Sequence, residues 1–383
     1  MVSYIGTARV GELVSRVGPA PFIEALAGEI EADYLRWGEF EKSARHAIHS
    51  GAGVIELMPT SDGRLYSFKY VNGHPKNTAA GLLTVTAFGV LADVATGYPM
   101  LLSEMTFVTA LRTAAMSALA ARRMASAGSR VMALIGNGAQ SEFQAIAFHH
   151  MLGIRELRLF DTDPEATAKL RLNLEAERLP GLEVIACTGA REAVRGADIV
   201  TTATADKRNA LILTPDMIEP GMHLNAVGGD CPGKTELHVD ILRLPRARIV
   251  VEFEPQARIE GEIQQLAASE GGVIEIADVL SGKHSGRTDD RDVTIFDSVG
   301  FALNDFSALR YLERLNREQG GGAAIDLIPR LDDPKDLYGE LKLGAASRTD
   351  NARRPGEAQA QGKSRARGNS EAQGRSDARV LAT

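Results

Sequence analysis

Short apolar runs alternate with helix-like segments along the middle of the chain. The run at 131–135 is followed by a turn containing two glycines and by a helical pattern at 142–151. Further apolar runs that predict strands lie at 157–160, 183–186, 198–203, 222–227 and 248–253. Strands that alternate with helices favour a parallel sheet with helices on both faces. These six predicted strands indicate an α/β fold with a Rossmann-type, doubly wound parallel sheet.

The first 118 residues have a different pattern and predict a separate α+β layer. A helical pattern at 21–40 is followed by strand-like alternation with turn signals. In the predicted strand at 66–71, a period of two places Ser67, Lys69 and Val71 on one face. The helical segment carries an apolar stripe that packs either on its own domain or on a partner subunit. The stripe consists of Phe22, Ile23, Leu26, Ile30 and Leu35.

Composition indicates a protein of about two domains that resides in the cytoplasm. The chain has 383 residues, of which 44% are hydrophobic and 24% are charged, enough for a large core. Its two cysteines, Cys187 and Cys231, are far apart and lack metal-ligand spacing, which suits a reducing compartment. We find neither an export signal nor an apolar run long enough for a membrane span.

Charge is distributed unevenly. The formal net charge is −7, yet residues 346–383 hold eight Arg or Lys and only four Asp or Glu residues. The rest of the chain is therefore strongly acidic and is not expected to bind nucleic acid. The tail lacks aromatic residues and has few large aliphatic ones, so we predict that it is disordered. A basic tether for RNA or a membrane is the alternative.

The turn after the first predicted strand has the composition of a dinucleotide-binding turn. Gly136 and Gly138 allow a sharp bend and a close approach to a pyrophosphate, whose charge the following helix's amide groups meet. Ser141 occupies the position of a third glycine. An ordinary strand-to-helix turn is the alternative. Asp161, at the end of the next strand, favours the dinucleotide because a carboxylate there accepts hydrogen bonds from the ribose hydroxyls. It would repel a 2′-phosphate, so we predict NAD rather than NADP.

Three charged residues interrupt apolar, strand-like runs in the first part of the chain: Arg45, Glu56 and Lys69. Each alone is typical of an outward-facing strand residue, but three within 25 residues favour a polar site. Arg112 directly precedes an Ala-rich helical run at 113–124, where it is positioned either for a carboxylate or phosphate or as a surface arginine. His46 and His49 point to opposite faces of a strand, so we predict no metal site.

A carboxylate also follows the predicted strand at 222–227. Asp230 lies within the run Ala226-Val227-Gly228-Gly229-Asp230-Cys231-Pro232-Gly233-Lys234. Ligands of open α/β sheets bind beyond the carboxyl ends of the strands. We expect the neighbouring glycines to let the backbone approach a ligand, and Asp230 to contact it.

These segments together resemble the ornithine cyclodeaminase/mu-crystallin family, over nearly the whole chain up to about residue 345. The resemblance rests on the segments at 69–75, 109–115, 135–144, 225–236 and 296–300. The segment Gly228–Lys234 is closer to the cyclodeaminating branch of the family.

The resemblance implies that the chain converts L-ornithine to L-proline and ammonia, with bound NAD⁺ accepting and returning a hydride. Arg45, Lys69 and Arg112 would then bind the substrate carboxylate, while Glu56 and Asp230 face the amines. We expect Asp230 to be the catalytic acid and base, and Glu56 to orient an amine. The alternatives are an NAD(P)-dependent imine reductase, an amino-acid dehydrogenase, a lysine cyclodeaminase, or a non-catalytic ligand-binding protein resembling mu-crystallin.

The resemblance also implies a set of cofactor contacts and a domain arrangement. Residues 1–118 and 318–345 are expected to form a substrate-binding and dimerisation domain, and residues 119–317 the NAD-binding domain. A homodimer through the first domain is expected. The expected cofactor contacts are Thr84, Arg112, Gly136, Gly138, Ala139, Gln140, Asp161, Val227, Lys234 and Ser298, with a solvated loop lysine as the alternative for Lys234.

Overall fold

Residues 1–205, 211–339 and 341 are described by the computed structural model. The chain divides into the units Met1–Leu327 and Ile328–Thr383. Of the second unit only 328–339 and 341 are described, so the predicted disorder of residues 346–383 lies outside the described residues. The first unit contains two β-sheets.

The first sheet has eight strands in the order β16-β1-β7-β6-β5-β4-β2, and β3 also pairs with β4. Its edge strand β16 (Ala323–Ile325) comes last along the chain. Its elements begin with β1 (Val2–Ile5), α1 (Thr7–Val17), α2 (Pro19–Leu35), β2 (Glu41–Lys42), β3 (His46–His49), β4 (Val54–Ser61), β5 (Leu65–Gly73), β6 (Ala87–Asp93), β7 (Pro99–Glu104) and α3 (Thr106–Met124). The pairs from β4 to β7 are antiparallel, whereas β1 runs parallel to β7. This is the predicted α+β layer, extended by β1 and α1, which the sequence pattern did not reveal.

The second sheet has eight strands in the order β10-β9-β8-β11-β12-β15-β13-β14, and every neighbouring pair is parallel. Its elements are β8 (Val131–Ile135), α4 (Ser141–Leu152), β9 (Glu156–Phe160), α5 (Pro164–Glu177), β10 (Glu183–Ala186), α6 (Ala190–Val194), β11 (Ile199–Thr202), β12 (His223–Ala226), α7 (Val239–Leu242), β13 (Ala247–Val251), α8 (Glu254–Glu260), β14 (Val273–Glu275), α9 (Ile276–Leu280) and β15 (Val293–Asp297), after which α10 (Ala302–Glu318) leads back to β16 of the first sheet. Short 3₁₀ segments lie at Trp37–Glu39, Pro75–Ala80, Pro215–Met217 and Glu262–Gln265. The doubly wound parallel sheet is confirmed, with β14 and β15 added to the six strands predicted.

Helices α3 and α10 connect the two sheets. Every residue of α3 from Val108 to Ala121 is buried, and the helix contacts β6 of the first sheet and β12 and β15 of the second. α10 follows β15 and packs on β4, β5 and β6. Side chains from both sheets therefore meet where these two helices begin.

The start of α3 corrects one prediction. The helix begins at Thr106, not after Arg112, because the side chain of Glu104 accepts hydrogen bonds from the amides of Thr106 and, at 3.0 Å, Phe107. Arg112 consequently lies inside the helix, where all backbone amides are already bonded. Any ligand that it binds is held by its guanidinium and not by free amides at a helix end.

The helical stripe predicted near the amino terminus packs mainly inside its own unit. Phe22, Ile23, Leu26 and Ile30 of α2 are each 0% exposed, whereas Leu35 at the end of the helix is 57% exposed. Four of the five stripe residues therefore belong to the core of the first unit.

None of the helices within the described ranges combines the length and the apolar character that a membrane span requires.

Candidate active site

Arg45 lies in a buried cluster of acids. Its Nη1 donates to Oε2 of Glu56 at 2.9 Å, and its Nε lies 3.0 Å from Oε2 of Glu260. Its Nη2 donates to the carbonyl oxygens of Val299 and Gly300, both at 2.6 Å. The side chains of Arg45 and Glu56 are each 5% exposed, so neither is an outward-facing strand residue. Burial of a charged pair is costly unless its polar atoms are bonded, and here most of them are.

The charge of Arg45 is stabilised by this environment. Burial alone would lower the pKa of Arg45, but the carboxylates of Glu56, Glu260 and Asp230 outweigh it and raise the pKa above its ordinary value. Asp230 is therefore near enough to act on Arg45. Oε1 of Glu56 is buried and has no hydrogen-bond partner among the described residues. That oxygen is available to a ligand bearing an N–H group.

Lys69 and Arg112 share one carboxylate, that of Asp305. Nζ of Lys69 lies 2.9 Å from Oδ1 and 2.8 Å from Oδ2 of Asp305. Nε of Arg112 donates to the same Oδ1 at 3.1 Å. All three residues are buried, which excludes the surface position for Arg112. Lys69 is on the inner face of β5 with Ser67 and Val71, as the period-two pattern predicts.

Burial and the neighbouring Arg112 lower the pKa of Lys69 to about 7, although Asp305 opposes both. Lys69 therefore changes its charge near neutral pH and not several units higher, as an exposed lysine does. A negatively charged ligand beside Lys69 would favour the protonated amine.

The backbone at Gly300 separates the Arg45 cluster from the Lys69 and Arg112 pair. Its φ of +77° is in the left-handed region, and a Cβ there would lie 2.7 Å from Nη1 of Arg112. The carbonyl of Gly300 accepts from Arg45, and its amide donates to Oε2 of Glu252 at 2.8 Å. Only a residue without a side chain fits between the two guanidinium groups.

Asp230 lies in the loop after β12, beyond the strand's carboxyl end as the sequence predicts. Its side chain is 39% exposed, and Oδ1 lies 3.5 Å from Nζ of Lys234. Lys234 itself is 2% exposed and donates to the carbonyl of Thr204 at 2.9 Å. The solvated alternative for Lys234 is therefore wrong.

The role expected for Gly228 needs a correction. A Cβ on Gly228 would lie 2.0 Å from Oε1 of Glu236, so the space beside this glycine is filled by a side chain of the protein. Oε2 of Glu236 also accepts from the amide of Gly228 at 3.0 Å. Gly228 thus makes room for Glu236, which fixes the loop that carries Asp230.

The turn at 136–141 has the features that a dinucleotide requires. Gly136 has a φ of +93°, and its Cβ would lie 2.6 Å from the carbonyl oxygen of Ala203. At Gly138, by contrast, a Cβ would meet nothing within 4 Å, so the turn is open on that side. The first turn of α4 has no side-chain cap. The amide of Ser141 donates to the carbonyl oxygen of Gly138 at 3.3 Å, and the amino end of the helix suits an anion.

Asp161 is the carboxylate expected to bind the ribose hydroxyls, and it lies beside the turn. Asp161 follows β9, and its Oδ2 accepts from the amide of Asn137 at 2.6 Å. Asp163 caps α5, whose first residue is Pro164. Both side-chain polar atoms of Asn137 and Oε1 of Gln140 are buried without hydrogen-bond partners among the described residues. A polar ligand would satisfy such atoms, so these residues fit a bound dinucleotide.

The other expected cofactor residues lie in three places. Val227 and Ser298 follow the paired strands β12 and β15 at their carboxyl ends, and Ser298 is 3% exposed. Ala139 is in the open turn, and Thr84 lies between β5 and β6, where its carbonyl accepts from His74 at 2.8 Å. Among the described residues, no hydrogen bond joins Thr84 to the turn at 136–141. Within the same residues, no group of His, Cys, Asp or Glu has the arrangement of a metal site.

Sequence reasoning missed three buried acids in this region: Asp305, Glu260 and Glu252. Two of these acids carried the kind of sequence signal that identified other residues. Glu252 follows β13 as Asp230 follows β12, and Asp305 interrupts the apolar helical run at 301–312 as Lys69 interrupts a strand. Glu260, at the end of α8, had no comparable signal.

Comparisons with known proteins show which family and which solved structures the chain resembles. The model of the ornithine cyclodeaminase/mu-crystallin family matches residues 9–319. Ornithine cyclodeaminase of Brucella suis biovar 1 is 58% identical over 341 residues, which cover 89% of this chain and 94% of that protein. A lysine cyclodeaminase, solved for its recognition of L-lysine, L-ornithine and L-2,4-diaminobutyric acid, has a TM-score of 0.81 at 29% identity and covers 88% of this chain and 98% of its own. An archaeal alanine dehydrogenase dimer with bound NAD has a TM-score of 0.77 at 28% identity, covering 85% and 99%.

Proposed function

Because the chain belongs to the ornithine cyclodeaminase/mu-crystallin family, we propose that it is an NAD-dependent enzyme that converts L-ornithine to L-proline and ammonia. One observation about the site carries the proposal. The buried cations Lys69 and Arg112 lie on one side of Gly300, and the acids Glu56 and Glu260 lie around Arg45 on the other. A substrate with one carboxylate and two amines has the complementary charges.

NAD⁺, when bound, supplies reversible hydride acceptance, so that the overall reaction involves no net oxidation. Gly136, Gly138, Ala139 and Gln140 of the turn would hold its pyrophosphate, and Asp161 its adenosine ribose. The remaining expected contacts are Thr84, Arg112, Val227, Lys234 and Ser298.

The side chains of the site divide the binding of substrate between them. Lys69 and Arg112 bind the carboxylate by charge-assisted hydrogen bonds. Arg45 also binds the substrate carboxylate, once the carboxylate has displaced part of the ion pair between Arg45 and Glu56. Oε1 of Glu56, which lacks a hydrogen-bond partner among the described residues, then accepts from an amine and orients it.

Asp230 moves the protons of the reaction. It is the most exposed carboxylate around Arg45, at 39% of its side chain, and it lies at the carboxyl end of β12, where ligands of such sheets bind. It accepts a proton from the α-ammonium group before oxidation at Cα and returns a proton to the departing nitrogen after ring closure. Nζ of Lys234 lies 3.5 Å from its Oδ1.

We also propose a homodimer, formed by the first sheet. The outer face of that sheet presents an apolar row across three strands, because Leu57 pairs with Tyr70 and Tyr70 with Phe88. Leu57 is 45% and Phe88 42% exposed, and the rings of Tyr70 and Phe88 stack at 5.1 Å. Apolar patches of this kind mark protein interfaces.

The pairing of β16 with β1 supports a first domain of residues 1–118 and 318–345, apart from an NAD-binding domain of residues 119–317. We propose the cytoplasm as the compartment of the protein.

The proposed activity is tested by incubating the purified chain with NAD⁺ and L-ornithine. We expect ammonia and L-proline in equal amounts, with no net change in nicotinamide absorbance. A change of absorbance in step with product would instead identify an amino-acid dehydrogenase or an imine reductase. Parallel incubations with L-lysine and with NADP⁺ test the substrate and the cofactor. Binding of ligands without any turnover would indicate a non-catalytic protein.

A further inference from the structure

Asp305 occupies a position that no step of the proposed reaction uses. It lies in the first turn of α10, is 1% exposed, and touches cations from two other elements, Lys69 of β5 and Arg112 of α3. No other described carboxylate lies within ion-pair distance of either cation. Asp305 is therefore the only described carboxylate that bonds both cations.

The contact with Arg112 also sets the direction of its guanidinium. Asp305 binds Nε, and no described residue accepts a hydrogen bond from Nη1 or Nη2. Those two nitrogens lie beside Gly300, at 2.7 and 2.9 Å from where its Cβ would be. The end of the guanidinium that suits a bidentate carboxylate is thus left for a ligand.

We propose that Asp305 is a positioning residue, which holds Lys69 and Arg112 together in one charged pair for the substrate's carboxylate. Two buried cations side by side repel each other, and a carboxylate between them removes most of that repulsion. The pair then keeps one net positive charge, which matches a single carboxylate. The inference rests on the proposed function, since it takes the carboxylate of an amino acid as the ligand.

The same contacts predict a pH dependence. The charged groups that act on Lys69 are Asp305 from α10, Arg112 from α3, and Arg45, which lies just before β3. Among these groups Asp305 raises the pKa of Lys69, whereas burial and the two arginines lower it. Without the negative charge of Asp305, Lys69 loses its proton at a lower pH, and carboxylate binding fails earlier as the pH rises.

The test compares Asp305→Asn with Asp33→Asn in the full chain loaded with NAD⁺. Asp33 is a matched control because it is also 1% exposed, binds Arg310 and Arg36, and contacts α10 through Ser307, yet it is outside the site. The measurements are the KM and kcat for L-ornithine, the affinity for L-proline by calorimetry, and thermal unfolding. Each is repeated across a pH series that spans the pKa of Lys69 at about 7.

For Asp305→Asn we expect the KM for L-ornithine to rise roughly tenfold to a hundredfold, the scale of a misplaced binding group. The rise of KM with pH should begin at lower pH, and L-proline should bind correspondingly more weakly. Asp33→Asn should lower the melting temperature and leave KM and its pH dependence unchanged. If Asp305→Asn does not fold, Asp305→Glu decides, with a raised KM and the wild-type pH dependence expected.

Two results would overturn the inference. The first is a wild-type KM with a wild-type pH dependence in Asp305→Asn, or a wild-type KM in Asp305→Glu. The second is a raised KM and a shifted pH dependence in Asp33→Asn as well. Both are distinct from failure of the proposed function, in which the wild-type chain itself releases neither ammonia nor proline. That last result overturns both proposals.

Discussion

Arg45 donates to Glu56 at 2.9 Å, and both side chains are 5% exposed. The pair joins an irregular segment before β3 to the inner face of β4. A carboxylate and a guanidinium that were predicted separately therefore form one ion pair. An interaction of this kind must be rearranged if Arg45 is to bind a substrate carboxylate.

We expect Glu56→Gln to raise the KM for L-ornithine at least about tenfold, because the charged amine of the substrate then faces a neutral amide oxygen and no longer a carboxylate. Initial rates across a substrate series measure the effect. Glu41→Gln is the control, since Glu41 is an exposed carboxylate on β2, which also pairs with β4. Unchanged KM in Glu56→Gln would remove Glu56 from the site.

Asp230→Asn should fold normally, bind NAD⁺ and lower kcat by roughly a hundredfold or more, the usual scale of acid and base catalysis. The asparagine keeps the shape of the side chain but neither accepts nor returns a proton at working pH. Ammonia release measures kcat, and calorimetry with NAD⁺ checks the cofactor site. Asp240→Asn, at an exposed aspartate of α7, serves as a control, and near-normal turnover in Asp230→Asn would exclude it as the acid and base.

Much of the fold and part of the site follow from the sequence because they depend on local pattern. The strand at Val131–Ile135 is bounded as predicted, since a short apolar run between turns has few alternatives. The burial of Lys69 follows from its period-two neighbours Ser67 and Val71. The link between Lys69 and Arg112 does not follow, because it runs through Asp305, which is 236 residues from Lys69. Long-range pairings of this kind depend on how α3 and α10 pack, and no local pattern records that.

The two glycines of the turn after β8 should respond differently to alanine. Gly136→Ala forces a side chain into a φ of +93° and toward the carbonyl of Ala203 at 2.6 Å, so we expect a loss of about 1–3 kcal/mol in the free energy of unfolding. Gly138→Ala meets nothing within 4 Å and should unfold like the wild type without cofactor. In Gly138→Ala we expect weaker NAD⁺ binding, because the added methyl group occupies the open side of the turn.

Thermal unfolding with and without NAD⁺ separates the two effects. Gly136→Ala should have a lower melting temperature in both conditions, whereas Gly138→Ala should differ from the wild type only when NAD⁺ is present. Equal cofactor stabilisation of Gly138→Ala and wild type would argue against a pyrophosphate at this turn.

Asp297 should make stability depend on pH. Burial raises its pKa from 3.8 to about 7, against the opposing bonds from the amides of Glu262 and Ile263. Between these two pKa values the folded protein holds a proton that the unfolded chain has lost, so the free energy of unfolding falls as pH rises through this window. Asp297→Asn carries no titrating group and should show a shallower fall. Chemical denaturation at several pH values measures it, and identical slopes for both proteins would contradict the assignment.

The apolar outer face of the first sheet gives a prediction about assembly. Phe88 is 42% exposed and stacks on Tyr70 in the row that begins at Leu57, so Phe88→Glu would place a charge within the proposed interface. A buried, unpaired carboxylate at an interface is strongly unfavourable, and we expect this variant to be monomeric while the wild type is dimeric in sedimentation. Leu172→Glu is the matched control, because Leu172 is 66% exposed on α5 and belongs to the second sheet's helices. A dimer that persists in Phe88→Glu but dissociates in Leu172→Glu would assign the interface to the other sheet, and a wild-type monomer would refute the dimer.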